Sequence, residues 1–266
     1  HREILLKLES GWRRSYNSFF ETVRTVASGY ISINWGDGSN TQTFHIKTLS
    51  VDTNSDSTIA EMGSGPSSSW TPGATHSYAD NGTYIIYWKG FARSVVMNKE
   101  DGYSSTSVGN SNRWRNETMV RIGGDYIGNV SPVSAVPPIV KVQDNKSFTY
   151  QVSATDANGD NLTYRWGKFN EFFKQDGSGS TATFTMPTGM TLSSTGLVEW
   201  DVLDNNSAIS TVEDDLWVSV IMVEDRHDNG SAKSYIPIDF FFKIASASND
   251  PSSFTAFPTG TQTVSV

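Results

Sequence analysis

The longest regular pattern in the chain is a two-residue alternation near its end. Ile236, Ile238, Phe240, Phe242 and Ile244 fall on one side, and Pro237, Asp239, Phe241 and Lys243 on the other. Successive side chains of a strand point to opposite faces, so this spacing predicts a long β-strand and rules out a helix there. The same spacing recurs at Ile31, Ile33 and Trp35, at Tyr84, Ile86 and Trp88, at Phe148, Tyr150 and Val152, and at Leu162, Tyr164 and Trp166. Leu216–Val223 reads as another long strand. No stretch predicts a helix longer than one turn, so the expected class is all-β.

Turn chemistry then places the strands. Asn34-Trp35-Gly36-Asp37-Gly38-Ser39 ends the first alternating run. Glycine accepts positive φ there and Asp bonds its own backbone. Further on, His76-Ser77-Tyr78 is followed by the turn Asp80-Asn81-Gly82 and the strand Thr83-Tyr84-Ile85-Ile86. Together these residues resemble the polycystic-kidney-disease-type (PKD) immunoglobulin-like domain, whose strands carry a W/F-G-D-G turn and an H-x-Y…G-T-Y run. The resemblance implies a β-sandwich over residues 1–130 in which Asp37 and His76 are structural. The Ser- and Thr-rich stretch between Phe44 and His76 is longer than that pattern requires and reads as a surface excursion.

Gly128 to Pro138 contains three prolines in seven residues, Pro132, Pro137 and Pro138. Proline cannot donate to a ladder and favours an extended chain, so residues 131–138 are expected to be a stiff linker between separate cores. Beyond it, Phe148–Ala154 and Leu162–Trp166 are expected to form a hairpin around Thr155–Asn161. Residues 139–247 resemble cadherin-like and bacterial immunoglobulin-like repeats. The carrying residues are Val152-Ser153-Ala154-Thr155-Asp156…Leu162-Thr163-Tyr164, Thr195-Gly196-Leu197-Val198, Val223-Glu224-Asp225 and Ser248-Asn249-Asp250-Pro251. Residues 248–266 read as an exit linker and the first strand of a third repeat. The fold expected is two tandem immunoglobulin-like β-sandwich domains.

That second resemblance implies calcium, held at module ends by carboxylates and carbonyls, which suit a hard cation. Asp156, Asp160, Asp204, Asp225 and Asp250 are the metal candidates. Asn158 and Asn205-Asn206 stand where the family has acids, so at most weak binding is expected, with turn capping by the same aspartates as the alternative. No other cofactor is implied.

The remaining composition narrows function. A net charge of −8 and a pI near 5.0 disfavour nucleic acid or anionic membrane as the partner, since both call for basic surface. The chain has no cysteine, which excludes thiol catalysis and disulfides. No apolar run approaches the roughly 18 residues of a membrane helix. Seven Asn-x-Ser/Thr sequons, at Asn81, Asn116, Asn129, Asn145, Asn161, Asn205 and Asn229, fit an extracellular protein. The first residue is His1, not Met, and the chain reads as a piece of a longer protein.

Three further constellations bear on chemistry. An amino-terminal His1 can chelate copper with His45 or His76, but His76 already belongs to the PKD-type pattern. The carboxylate pairs Glu199/Asp201 and Asp214/Asp215 have nothing placing them in the cleft that glycoside hydrolysis requires. Trp12, Tyr16, Trp70, Tyr103 and Trp114 fall between the expected strands and are candidate ligand contacts, because sugars and protein partners both favour such rings. The reading is therefore not an enzyme. It is an extracellular or cell-surface module pair for adhesion, ligand display or spacing, with a protein or glycan partner at a cell surface or in the matrix and no direct membrane insertion. A carbohydrate-binding accessory region of a secreted multidomain enzyme is the alternative.

Overall fold

The computed structural model describes residues 2–90, 114–144, 146–172, 189–201 and 213–245. Its first half is built on six strands that neighbour one another around one core. In chain order they are β2 (Glu9–Arg13), β3 (Val26–Asn34), β4 (Gln42–Asp52), β5 (Ser57–Ser64), β8 (Gly82–Gly90) and β9 (Trp114–Ile122). Their spatial order is β9-β8-β3-β4-β5-β2. A ribbon of β1 (Glu3–Leu6) and β7 (Ala74–Ser77) and the short β6 (Thr71–Pro72) complete this half. Ile31, Ile33 and Trp35 from β3 and its end meet Ile46, Ala60, Met62, Tyr78, Ile86 and Trp88, as the alternation requires.

The expected surface excursion is largely sheet: β4, β5, β6 and β7 all lie between residues 42 and 77. Small polar residues concealed the pattern, yet Thr48 and Thr58 are buried with their hydroxyls bonded to the carbonyls of Phe19 and Phe20. A buried hydroxyl is tolerated once it has a partner.

In the second half two sheets face each other. One runs β14 (Asn161–Trp166), β17 (Leu216–Arg226), β18 (Ala232–Ala245) and β11 (Ile139–Gln143), the last parallel to β18. The other is β12 (Ser147–Gln151), β16 (Leu197–Asp201) and β15 (Met190–Leu192). Val140, Val142, Val152, Trp200, Trp217, Phe240 and Phe242 fill the space between them. β12 and β14 therefore lie in opposite sheets and are not a hairpin. The chain crosses between sheets at the buried Val152, with the two-residue β13 (Ala154–Thr155) on the way.

Two expectations about the junction change. Residues 131–138 do not stand outside the sheets: β10 (Val133–Ser134) pairs with β13, Val136 packs on the core, and the Pro138 carbonyl accepts from the Phe241 amide. Proline lacks the donor but keeps the acceptor, and only the acceptor is used. Nor are the cores separate. A third cluster joins Met119 of β9 to Phe169 and Phe172 of the single helical turn α1 (Phe169–Phe172), and to Val218, Val220, Met222 and Tyr235. Met119 also pairs with Tyr235, linking the two halves into one continuous sheet. The architecture is nearly all β, two immunoglobulin-like sandwiches in tandem.

Because Met222 is fully buried in the shared cluster, Met222→Ala is expected to destabilise by about 2–4 kcal/mol. Calorimetry of the whole chain should show one cooperative transition. Two resolved transitions, with only the second moved by the substitution, would mean that the halves fold independently.

Candidate functional site

The turn between β13 and β14 gathers charge at one end of the second sandwich. Asp156 Oδ1 accepts from the backbone amides of Asn158 (2.8 Å) and Asp160 (3.1 Å), which closes the turn. Asp225, near the end of β17, is wholly buried. Its Oδ1 accepts from the amide (2.7 Å) and hydroxyl (2.6 Å) of Ser234, and its Oδ2 from Asn129 Nδ2 (2.7 Å). One carboxylate oxygen from each of Asp156, Asp160 and Asp225 lies within 4.8 Å of the others. Lys233 Nζ sits 2.5 Å from Asp160 Oδ1. That hydrogen bond raises the ammonium's pKa against the opposing effect of burial, helped by the charges of Asp160, Asp225 and Asp156.

Two oxygens of this cluster, Asp156 Oδ2 and Asp160 Oδ2, are screened from solvent and have no hydrogen-bond partner. Buried carboxylate oxygens without partners, beside a third carboxylate, are the kind of acceptor that a hard cation satisfies. The cluster also holds the segment arriving from the first sandwich: Asn158 Oδ1 accepts from the Val130 amide, and Asn158 Nδ2 donates to the Gly128 carbonyl. Sequence reasoning thus identified three residues that the fold brings together. Asp204 and Asp250 lie outside the described residues. Asn129 and Lys233 were missed, since neither belongs to an acidic pattern.

The aromatic candidates fare differently. Trp12 is not a loop ring: it lies in β2, its ring centroid 5.1 Å from Phe20 and 5.0 Å from Tyr30, inside the first core's margin. Trp70 is half-buried, with Lys47 Nζ 5.1 Å above its ring. Tyr16 is exposed. Tyr103 lies outside the described residues. Trp114 starts β9, a strand and not a loop, and its side chain is outside the described set.

A charged belt that the sequence did not announce borders the shared core. Arg115 pairs with Glu117 (2.6 Å), whose other oxygen accepts from the Tyr235 hydroxyl (2.8 Å). Arg165 bonds both oxygens of Glu171 (2.8 and 2.7 Å) and Glu224 (2.7 Å). Burial pushes the Glu117 carboxyl up, against the opposing pull of Arg115 and Tyr235. Alternating charges on a strand read as a solvated face, which is why the sequence hid them.

At the opposite turn, His76 Nε2 lies 2.7 Å from Asp37 Oδ2, and its ring stacks on Trp35 at 4.5 Å and 3°. Tyr78 donates to the Trp35 carbonyl (3.0 Å). Gly36 (φ +77°) must be glycine here, since a Cβ would lie 2.3 Å from the Ile85 carbonyl oxygen.

No protein-family model matches the chain, and no curated protein does. Solved structures that resemble it include the N-terminal Ig1-2 module of the Drosophila receptor protein tyrosine phosphatase DLAR, at 9% identity and a TM-score of 0.26, covering 84% of this chain and 91% of that one. The two tandem V-type regions of VCBP3, a v-region-containing chitin binding protein, resemble it at 11% identity and a TM-score of 0.33, covering 81% of this chain and 85% of that one. Fibronectin(III)-like modules of Clostridium thermocellum CbhA do so at 13% identity and a TM-score of 0.23, covering 84% of this chain and 80% of that one.

Burial raises the Asp37 carboxyl, but hydrogen bonds from Ser39 and His76 outweigh it and bring its pKa from 3.8 down to about 2. A folded value below the unfolded one stabilises the fold above the unfolded pKa, and the contribution fades as pH falls from about 4 towards 2. Asp37→Asn should lower stability at pH 7 by about 1 kcal/mol and flatten the acid limb of the melting curve in that window. An acid limb identical to wild type would show that the pair is idle.

Proposed function

We propose that this chain is a non-catalytic pair of extracellular or cell-surface modules, serving adhesion, ligand display or spacing. In this reading residues 1–130 form a PKD-like sandwich and residues 139–247 a cadherin-like one, with a weak Ca²⁺ site at Asp156, Asp160 and Asp225. One observation carries it: the two sandwiches are held by a common apolar cluster edged with paired charges. A spacer or display element works by keeping a fixed reach, and a buried, charge-registered junction supplies that. The calcium part is supported by the two orphaned oxygens beside the segment 128–130 that joins the halves. Small-angle scattering of the whole chain tests the main reading: a single fixed maximum dimension is expected, and an ensemble of widely varying dimensions would sink it.

For the ion, three carboxylates come together among the described residues, and Lys233 already neutralises part of their charge. The expected affinity is therefore nearer millimolar than micromolar. Saturating Ca²⁺ should raise the melting temperature by mass action. Asp156→Asn, which keeps the turn-closing acceptor and removes a charge, should abolish the rise without lowering the chelator-treated melting point. A micromolar site, or no response at all, would defeat the assignment.

A further inference from the structure

We propose that the cleft at the end of the β8–β9 hairpin binds an acidic sugar residue, a uronic acid, through its carboxylate. The cleft has a volume of about 330 Å³ and is lined by Asn81, Thr83, Arg121, Gly123, Gly124 and Tyr126, among others. Thr83 stands opposite Arg121 in the hairpin register, on the face turned away from the first core, since Tyr84 and Val120 take the inner face.

Arg121 is the reason for an acid. Its Nη1 donates to the Tyr126 hydroxyl at 2.6 Å, and its guanidinium carbon lies 5.2 Å from that ring's centre. Its Nε is screened from solvent and has no acceptor. No carboxylate among the described residues lies within ion-pair distance of it, whereas Arg13, Arg14, Arg115, Arg165 and Arg226 are all ion-paired. Among the described arginines Arg2 and Arg24 also lack an ion pair, and Arg121 is the one of these three that lines the cleft of a chain of net charge −8. Its planar fork matches a carboxylate, and an anionic acceptor strengthens each bond it makes.

The rest of the cleft is the reason for a sugar. A bare carboxylate fills little of 330 Å³, while a pyranose ring suits it. The Tyr126 ring lines the cleft with the Arg121 guanidinium over it, and the His227 ring of the second sandwich lies 5.4 Å from it at a tilt of 58°. Thr83 offers its hydroxyl and Asn81 its amide NH2 to ring hydroxyls, the Asn81 Oδ1 already accepting from Arg2 Nε at 3.1 Å. The floor is kept low by Gly123 (φ +83°), where a Cβ would sit 2.2 Å from the Asn81 side chain, and by Gly124, whose Cβ position is open space. No residue lining the cleft belongs to the calcium cluster or to the shared core, so its test reads a different set of residues.

Amide chemical-shift mapping of the isotope-labelled chain with glucuronate and galacturonate is the experiment. Saturable shifts in the millimolar range are expected at Thr83, Gly123, Gly124 and Tyr126. Glucose and galactose, which lack the acid, and acetate, which lacks the ring, should each bind at least about tenfold more weakly. Arg121→Gln should remove the uronate response while leaving the melting temperature in place. If that variant does not fold, the wild-type map and the two controls decide alone. Shifts elsewhere or none, neutral sugars binding equally, acetate binding equally, or an unaffected folded Arg121→Gln would each overturn the proposal.

Discussion

Strand β17 has nine consecutive buried positions between its two half-buried ends, and the placement of the rest of the molecule answers to that. Trp217, Ile221 and Val223 look into the second sandwich, which any two-sheet fold provides for. Val218, Val220 and Met222 look the other way and require a second cover. Leaving such side chains in water forgoes about 1.5–3 kcal/mol each. The cover is α1 on one part and the outer face of β8 and β9, through Ile85 and Met119, on the other. The first sandwich is thus part of the packing of the second, and the Met119–Tyr235 pairing marks where the two sheets become one.

Apolar surfaces alone define a contact without defining its register. The belt of Arg115, Glu117, Arg165, Glu171, Glu224 and Tyr235 adds that definition. Desolvating these ions costs several kcal/mol apiece, and their mutual attraction offsets it only when every partner is in place. Glu171 shows how fully that is met: besides Arg165, it accepts from the Lys168 amide at 2.7 Å, so the carboxylate also fixes the turn that carries Phe169 and Phe172. A shift of one residue between β9 and β18 would separate Glu117 from Tyr235 and leave a buried carboxylate short of a donor. The belt therefore acts chiefly on uniqueness, and the apolar cluster on affinity.

This division explains what could be read from the sequence. The alternation in β3, β8 and β18 was legible because one face of each is strongly apolar and the other mixed. Asp37 and His76 were legible as structural residues because a turn motif and a strand motif each carried one of them, whereas their meeting at 2.7 Å came only with the fold. β4 and β5 were not, since Thr48, Thr58 and Ala60 are buried without being strongly hydrophobic. The joint core was hidden for a different reason. Phe241 and Tyr235 lie on the nominal outer face of β18, and nothing in a single strand's periodicity distinguishes an outer face that meets water from one that meets another sandwich. Arg121 escaped notice because an isolated arginine on such a face has no pattern to belong to.

The cluster of Asp156, Asp160 and Asp225 shows why turn capping and cation binding need not exclude each other. Asp156 spends one oxygen on two backbone amides, and Asp160 gives one to Lys233; each keeps a second oxygen that is buried and unpartnered. Three carboxylates against one ammonium leave two negative charges, which the two positive charges of a divalent cation would offset. Removing the caps would loosen the turn whether or not an ion binds, so loss of stability in an aspartate variant cannot by itself report on metal. What distinguishes the two roles is the second oxygen, which the turn does not use. Lys233 is the other discriminating group. Its ammonium occupies part of the same negative field, and a fixed internal cation at 2.5 Å competes with any ion from solution. The weakness of the proposed site thus follows from the small number of carboxylates and from the same lysine contact that stabilises the turn.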